Sequence, residues 1–152
     1  MLAALLGFAS VLGAGILAGE EFIIRYGVRA PIATLEPRPQ IELRQALIRR
    51  MRLVVPAVFV FTLLSGAAAA WLDSRFGFEL AVRVAALLAL VAFIAITLGG
   101  TVPINKAALN WNPVAPPPDW RDRIARWERL DTARTWAALA AFGLFLAAAT
   151  LR

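Results

Sequence analysis

Residues 2–24 read LAALLGFASVLGAGILAGEEFII, and this run decides the fold. It is long enough for a helix to cross a bilayer core, which takes about 20 apolar residues. Three further runs match it: Leu53–Leu72, Leu80–Leu98 and Ala133–Leu151. The expectation is all-α: a four-transmembrane-helix up-down bundle, with the last helix extended into the cytoplasm. Of the 152 residues, 61% are hydrophobic, above the roughly 45–50% of a soluble domain. A chain of this length leaves room for one transmembrane domain, residues 1–152. The first run lacks the basic flank of a signal peptide and continues past Glu21, so it reads as a retained helix.

Glu20-Glu21 is the oddity in that run. A charge at a helix centre costs about 2.5–3.5 kcal/mol on insertion scales, and less near the interface. Such residues face a bundle interior, a polar partner or a cavity. On a helix that reaches about Gly27, Glu21 and Arg25 stand four apart and can pair. Glu20 projects about 100° away from Glu21. One of the two is therefore expected to enter a polar pocket, and the sequence does not choose between them.

Neither cysteine nor histidine occurs in the chain. Disulfides, thiol redox chemistry and thiolate metal sites fall away. So do the usual axial haem ligand and the commonest zinc and copper ligand. A b-type cytochrome, a thiol enzyme that reduces quinones and a zinc hydrolase are disfavoured.

The basic residues are partitioned. The first loop holds Arg25, Arg29, Arg38, Arg44, Arg49, Arg50 and Arg52; the third holds Lys106, Arg121, Arg123, Arg126 and Arg129. The second loop and its flank hold Arg75 and Arg83, and the C-terminus Arg152. By the positive-inside rule loops one and three are cytoplasmic and both termini lie outside, as in a multi-pass protein of a bacterial-type inner (plasma) membrane. The net charge of +6 then reflects this rule and anionic lipid, not nucleic acid. Membrane lipids are the expected partners, and a homo-oligomer is compatible with the pattern.

Local features refine the plan. Gly15 and Gly19, with Gly7 and Ala14, form a small-residue face for close helix packing, as does the stretch Ser65–Ala70. From Gln40 to Arg52 the pattern is that of a short amphipathic helix on the membrane, running into the second span past Pro56. Asp73, Arg75 and Glu79 read as a solvated turn. The third run should break at Gly99-Gly100-Thr101-Val102-Pro103-Ile104-Asn105, leaving Thr101 and Asn105 near the cytoplasmic face. Asp119 reads as the N-cap of a final helix from Trp120 to Leu151. At 1.5 Å per residue that helix is roughly 48 Å long, so its first turns must protrude or tilt. Trp127, Asp131 and Arg134 share one of its faces. Trp71, Trp111, Trp120 and Trp136 read as interfacial anchors.

Val102-Pro103-Ile104-Asn105-Lys106-Ala107-Ala108-Leu109 and the block from Trp120 to Thr135 resemble the anthrone oxygenase-like family of small four-helix membrane proteins. The likeness extends over nearly the whole chain, but its specific part is confined to these two blocks. Characterised relatives oxidise an anthrone to an anthraquinone with molecular oxygen and without a metal or organic cofactor. The resemblance therefore implies an oxidoreductase with no cofactor, acting on a hydrophobic small-molecule substrate. Asn105, Trp127 and Arg134 fit the family pattern. Position 131 is Asp, where relatives often carry His or Asn, which removes an imidazole base and leaves a carboxylate base open.

The candidate catalytic residues are Glu20, Glu21, Asp131 and Arg134; the candidate substrate-binding residues are Asn105, Trp127 and Thr101. No metal ligand set is expected. A carboxylate taken out of water is a stronger base and can abstract a proton. Arg134 would then stabilise an enolate-like anion, and Trp127 would stack on an aromatic ring. The competing structural reading makes the same residues salt bridges, Asp131 or a glutamate with Arg134, and gives Asn105 the broken backbone near Pro103. A non-catalytic lipid-binding or assembly subunit is the alternative function. A small transporter is disfavoured, since helices 2 and 3 carry almost no polar residue through the midplane and no outer polar cluster is evident.

Overall fold

The computed structural model describes residues 1–72 and 77–151. The described residues are helical, and four helices are long and apolar enough to cross a membrane: α1 (Leu2–Ala33), α2 (Pro37–Leu72), α3 (Phe78–Leu109) and α4 (Trp120–Thr150). The protein is a multi-pass membrane protein. Asp73 and Arg75 of the second loop, and Arg152, lie outside the described residues.

α1 packs on α2 and on α4, and α4 packs on α3. The seam between α2 and α3 is the thinnest in the bundle. The buried centre is built from Leu17, Phe59, Leu90, Phe93 and Phe145, with alanines between them. The rings of Phe59 and Phe93 stack with centroids 6.1 Å apart. Leu5, Phe8, Leu12 and Ile16 lie exposed on α1, and Leu88 and Val91 on α3, as lipid-facing side chains do.

The four apolar runs became helices, but longer ones. α1 continues through Arg25 to Ala33, so the first loop shrinks to the few residues before Pro37. The amphipathic segment is not a separate surface helix; it is the first part of the 36-residue α2. Pro56 consequently sits in a helix interior, where the Arg52 carbonyl loses its ordinary donor.

The expected break at Gly99–Asn105 is instead one wide π turn, Thr97–Thr101, after which the helix resumes at Val102. The Val102 N–H bonds the Thr97 carbonyl five residues back. α1 has a second π turn at Ile24–Val28, where the Arg29 N–H reaches the Ile24 carbonyl. Each turn ends just before a proline, Pro103 or Pro31. A proline ring clashes with the carbonyl four residues before it, and a wide turn moves that carbonyl aside without ending the helix.

Three other details depart from expectation. Asp119 precedes α4 but makes no side-chain cap; its Oδ2 accepts from Arg123 Nε at 2.7 Å. Trp111 and Trp120 are buried, not anchoring, and join Ile41, Ala108 and Ile124 in a second small core. Gln45 Nε2 ties that core together, donating to the Ala108 and Trp111 carbonyls at 2.9 and 3.0 Å. Arg83 belongs to α3, not to a loop flank: it is buried and pairs with Glu79 at 2.7 Å. That end of the bundle thus does carry charge. Trp71 and Trp136 are exposed, as anchors should be.

Among the glycines of α1, an added Cβ at Gly13 would meet Thr62 and one at Gly15 would stand 3.2 Å from Phe142, while one at Gly19 would meet nothing within 4 Å. The packing face thus includes Gly13 and Gly15 but not Gly19. Gly100 lets the π turn of α3 sit against Leu130, whose Cδ1 would be 2.9 Å from an added Cβ.

Candidate functional site

α1 delivers Glu20 and Glu21 at the last turn before its π turn, and α4 delivers Arg134 opposite. Glu21 is 1% exposed, and its Oε1 accepts from Arg134 Nη2. Arg134 Nη1 donates to Thr101 Oγ1 at 3.2 Å, and Thr101 donates to the Thr97 carbonyl. The guanidinium also lies 5.0 Å from the centre of the Phe93 ring. One arginine thus joins α1, the π turn of α3 and the apolar core. A buried cation needs such partners, because desolvation costs several kcal/mol per ion.

Asp131 lies one turn before Arg134 on α4 and is 1% exposed. It makes no ion pair among the described residues, and its Oδ2 has no hydrogen-bond partner. Arg134, Arg29, Arg25 and Arg44 surround it electrostatically. Arg25 is directed to Thr132 Oγ1 rather than to Glu21, and Arg29 pairs with Glu128 at 2.7 Å. The expected Glu21–Arg25 and Asp131–Arg134 pairs therefore do not form. The π turn after Ile23 redirects Arg25, and Arg134 is taken by α1.

A cavity of about 400 Å³ opens beside these groups, within the range of small-molecule sites. Glu20, Glu21, Thr101, Asn105, Trp127, Asp131 and Arg134 all line it. Its remaining walls are largely apolar, from Ile24, Leu47, Met51, Val55 and others. Both glutamates enter the cavity, against the expectation of one. Glu20 is half-buried with Oε2 unpartnered. Asn105 lines the wall and serves no broken backbone, since the helix there is continuous.

Sequence reasoning missed the contribution of α2. Arg44, Leu47, Ile48, Met51, Arg52, Val55 and Pro56 form one wall. Their alternation of three and four is the mark of a helix face. It was hidden by treating the residues before Arg52 as a separate surface helix. Trp127 is also placed differently: the Arg44 guanidinium lies 5.1 Å from its ring centre, so that ring already carries a cation.

Residues 45–144 match the family model described as anthrone oxygenase. The chain belongs to the anthrone oxygenase family. No curated protein and no solved structure matches it. In this family member the matched segment contains Thr101, Asn105, Trp127, Asp131 and Arg134, whereas Glu20 and Glu21 lie before it. Among the described residues no cluster of three or more His, Cys, Asp or Glu is arranged to hold a metal ion.

Proposed function

We propose that this family member is a cofactor-independent oxygenase that converts a hydrophobic, enolisable aromatic molecule of the anthrone class to the corresponding quinone. The observation that carries this reading is Asp131, a carboxyl group 1% exposed, with an oxygen unpartnered, on the wall of a largely apolar cavity. A carboxylate used only for structure would be consumed by an arginine; this one is not. Family membership supports the same chemistry.

In the proposed reaction Asp131, or Glu20 beside it, takes a proton from the ring methylene. The carbanion spreads its charge onto the ring oxygen. Arg134 lines the cavity with its Nε–H unpartnered and would stabilise that oxyanion. Dioxygen accepts the electron pair and bonds to the carbon, and the peroxide takes back the abstracted proton to become a hydroperoxide. Loss of the second proton from that carbon breaks the O–O bond and leaves a carbonyl. The departing hydroxide takes up a proton and leaves as water. The methylene carbon gives up four electrons and dioxygen receives them, so one carbonyl and one water account for both oxygen atoms.

The basic loops support placing the cavity at the cytoplasmic boundary of a bacterial-type plasma membrane, with both termini outside. The test is oxygen uptake and quinone absorbance with an anthrone, in purified wild type and in Asp131→Asn and Glu20→Gln. Loss of the general base should lower kcat about 10²–10⁴-fold with the melting temperature preserved. Full rates in both variants, or no uptake above the spontaneous rate in wild type, would refute the proposal. A second reading, a non-catalytic lipid-binding or assembly subunit, draws on the Glu21–Arg134 pair, which links α1 to α4 without any ligand.

A further inference from the structure

The lining of the cavity runs from Glu20 to Ile32 on α1, from Arg44 to Pro56 on α2 and from Thr97 to Leu109 on α3. Each stretch is roughly twelve residue steps, so the slot is about 18 Å deep along the helix axes. The lining acids Glu20, Glu21 and Asp131 belong to the inner part, together with Arg134, whereas Arg44 and Lys106 stand at the other end, where no acid lines the cavity.

Arg44 and Trp127 are the informative pair at that mouth. Arg44 Nε is buried and has no hydrogen-bond partner, and Arg44 makes no ion pair among the described residues. The acids in its field are Glu128 and Asp131, but Glu128 is held by Arg29 at 2.7 Å. The indole Nε1 of Trp127 is likewise buried without a partner. Indole and guanidinium nitrogens can only donate. Two adjoining donors, one of them cationic, thus lie buried in the wall of the cavity with no protein acceptor assigned to them. Buried donors of this kind are ordinarily satisfied. A ligand that supplies acceptors and negative charge completes them; a neutral hydrocarbon leaves both unmet.

We propose that the mouth of the cavity is an oxyanion subsite, in which Arg44 and Trp127 Nε1 receive the carboxylate or phosphate of an amphipathic ligand whose apolar part fills the slot. Lys106 adds positive charge at the rim. The inference rests on reading this cavity as the substrate site, and it narrows the substrate to acids. The oxyanion can come from a diffusible amphiphile or from the headgroup of an anionic lipid.

The experiment reads binding, not turnover, so an inert enzyme still passes or fails it. The protein is placed in nanodiscs of phosphatidylcholine, and fluorescence titration compares anthracene-butanoic acid with its methyl ester. The acid should bind about tenfold or more tightly than the ester, as a charge-assisted hydrogen bond implies. Arg44→Gln should erase that preference by weakening the acid about tenfold more than the ester. Arg44→Lys should keep most of it, and Trp127→Phe should lose part. Equal binding of acid and ester by wild type would overturn the proposal. So would an Arg44→Gln variant that weakens both ligands alike, or a preference that survives both Arg44→Gln and Trp127→Phe. In phosphatidylglycerol nanodiscs, loss of acid binding identifies the lipid headgroup as the occupant. Unchanged binding identifies a diffusible acid; either result retains the oxyanion subsite.

Discussion

Replacing Arg134 with methionine should be the most damaging single change at the inner end of the site. Arg134 bonds Glu21 and Thr101 and covers Phe93. It is also an electrostatic partner of Glu20, Glu21 and Asp131 alike. Asp131 retains Arg25, Arg29 and Arg44 when Arg134 is gone; Glu21 retains no cation. Removing one member of a buried pair typically costs about 3–5 kcal/mol, because the other charge is left alone. That corresponds to a rise of about 10² to several 10³-fold in the unfolding equilibrium constant.

The reverse change is not equivalent. Glu21→Leu leaves Arg134 with Thr101 and the fields of Glu20 and Asp131, so it should cost clearly less than Arg134→Met. The double variant Glu21→Leu/Arg134→Met removes both charges in favour of apolar groups and should recover much of the loss, since such replacements are often neutral or stabilising. Reversible unfolding in mixed detergent, followed by circular dichroism, measures all four proteins of the cycle. A cost for Arg134→Met below about 1 kcal/mol would refute the reasoning, because exposed pairs are worth that little. So would a double variant as unstable as Arg134→Met alone.

Two further outcomes follow from packing. Gly13→Ala should destabilise by about 1–3 kcal/mol, since its methyl group meets Thr62 on α2, whereas Gly19→Ala should be neutral or slightly stabilising in the same assay because nothing lies nearby. Gln45→Leu should cost about 1–3 kcal/mol through the two carbonyls it leaves without that donor; faster proteolysis between Asn110 and Pro118 reports the loosening.

The four spans were legible because hydropathy alone places them. The charged positions were legible because an ion in an apolar run needs a reason. What the sequence hid was continuity. The residues from Gln40 to Arg52 are polar enough to read as a surface segment, yet they extend α2. Gly99-Gly100 and Pro103 read as a break, yet a wide turn absorbs them. Trp111 and Trp120 carry the signature of anchors, but tertiary packing buries them against Ile41 and Ile124. Pair identities were hidden for a related reason. Arg25 stands four residues from Glu21 in sequence, but Arg134 reaches Glu21 from another helix, and no local rule records that.

The two π turns explain how an 18 Å slot keeps one polar and apolar lining. α2 has no such turn, and its lining residues fall in two adjoining rows, Arg44, Ile48, Arg52 and Pro56 beside Leu47, Met51 and Val55. A straight helix of 3.6 residues per turn keeps a face on the wall by using both rows. On α1 the lining includes Glu20, Ile24, Val28 and Ile32, and on α3 Thr97, Thr101, Asn105 and Leu109, each a repeat of four. In an uninterrupted α-helix such a repeat drifts by about 40° at every step, so a single row turns by about 120° over three steps and needs a neighbouring row beside it, as on α2. A π turn holds more than four residues, so the step across it turns back and cancels the drift. Ile24–Val28 and Thr97–Thr101 are those steps. Ahead of Pro31 and Pro103, the wide turns therefore keep Ile24 in line with Val28 and Thr97 in line with Thr101.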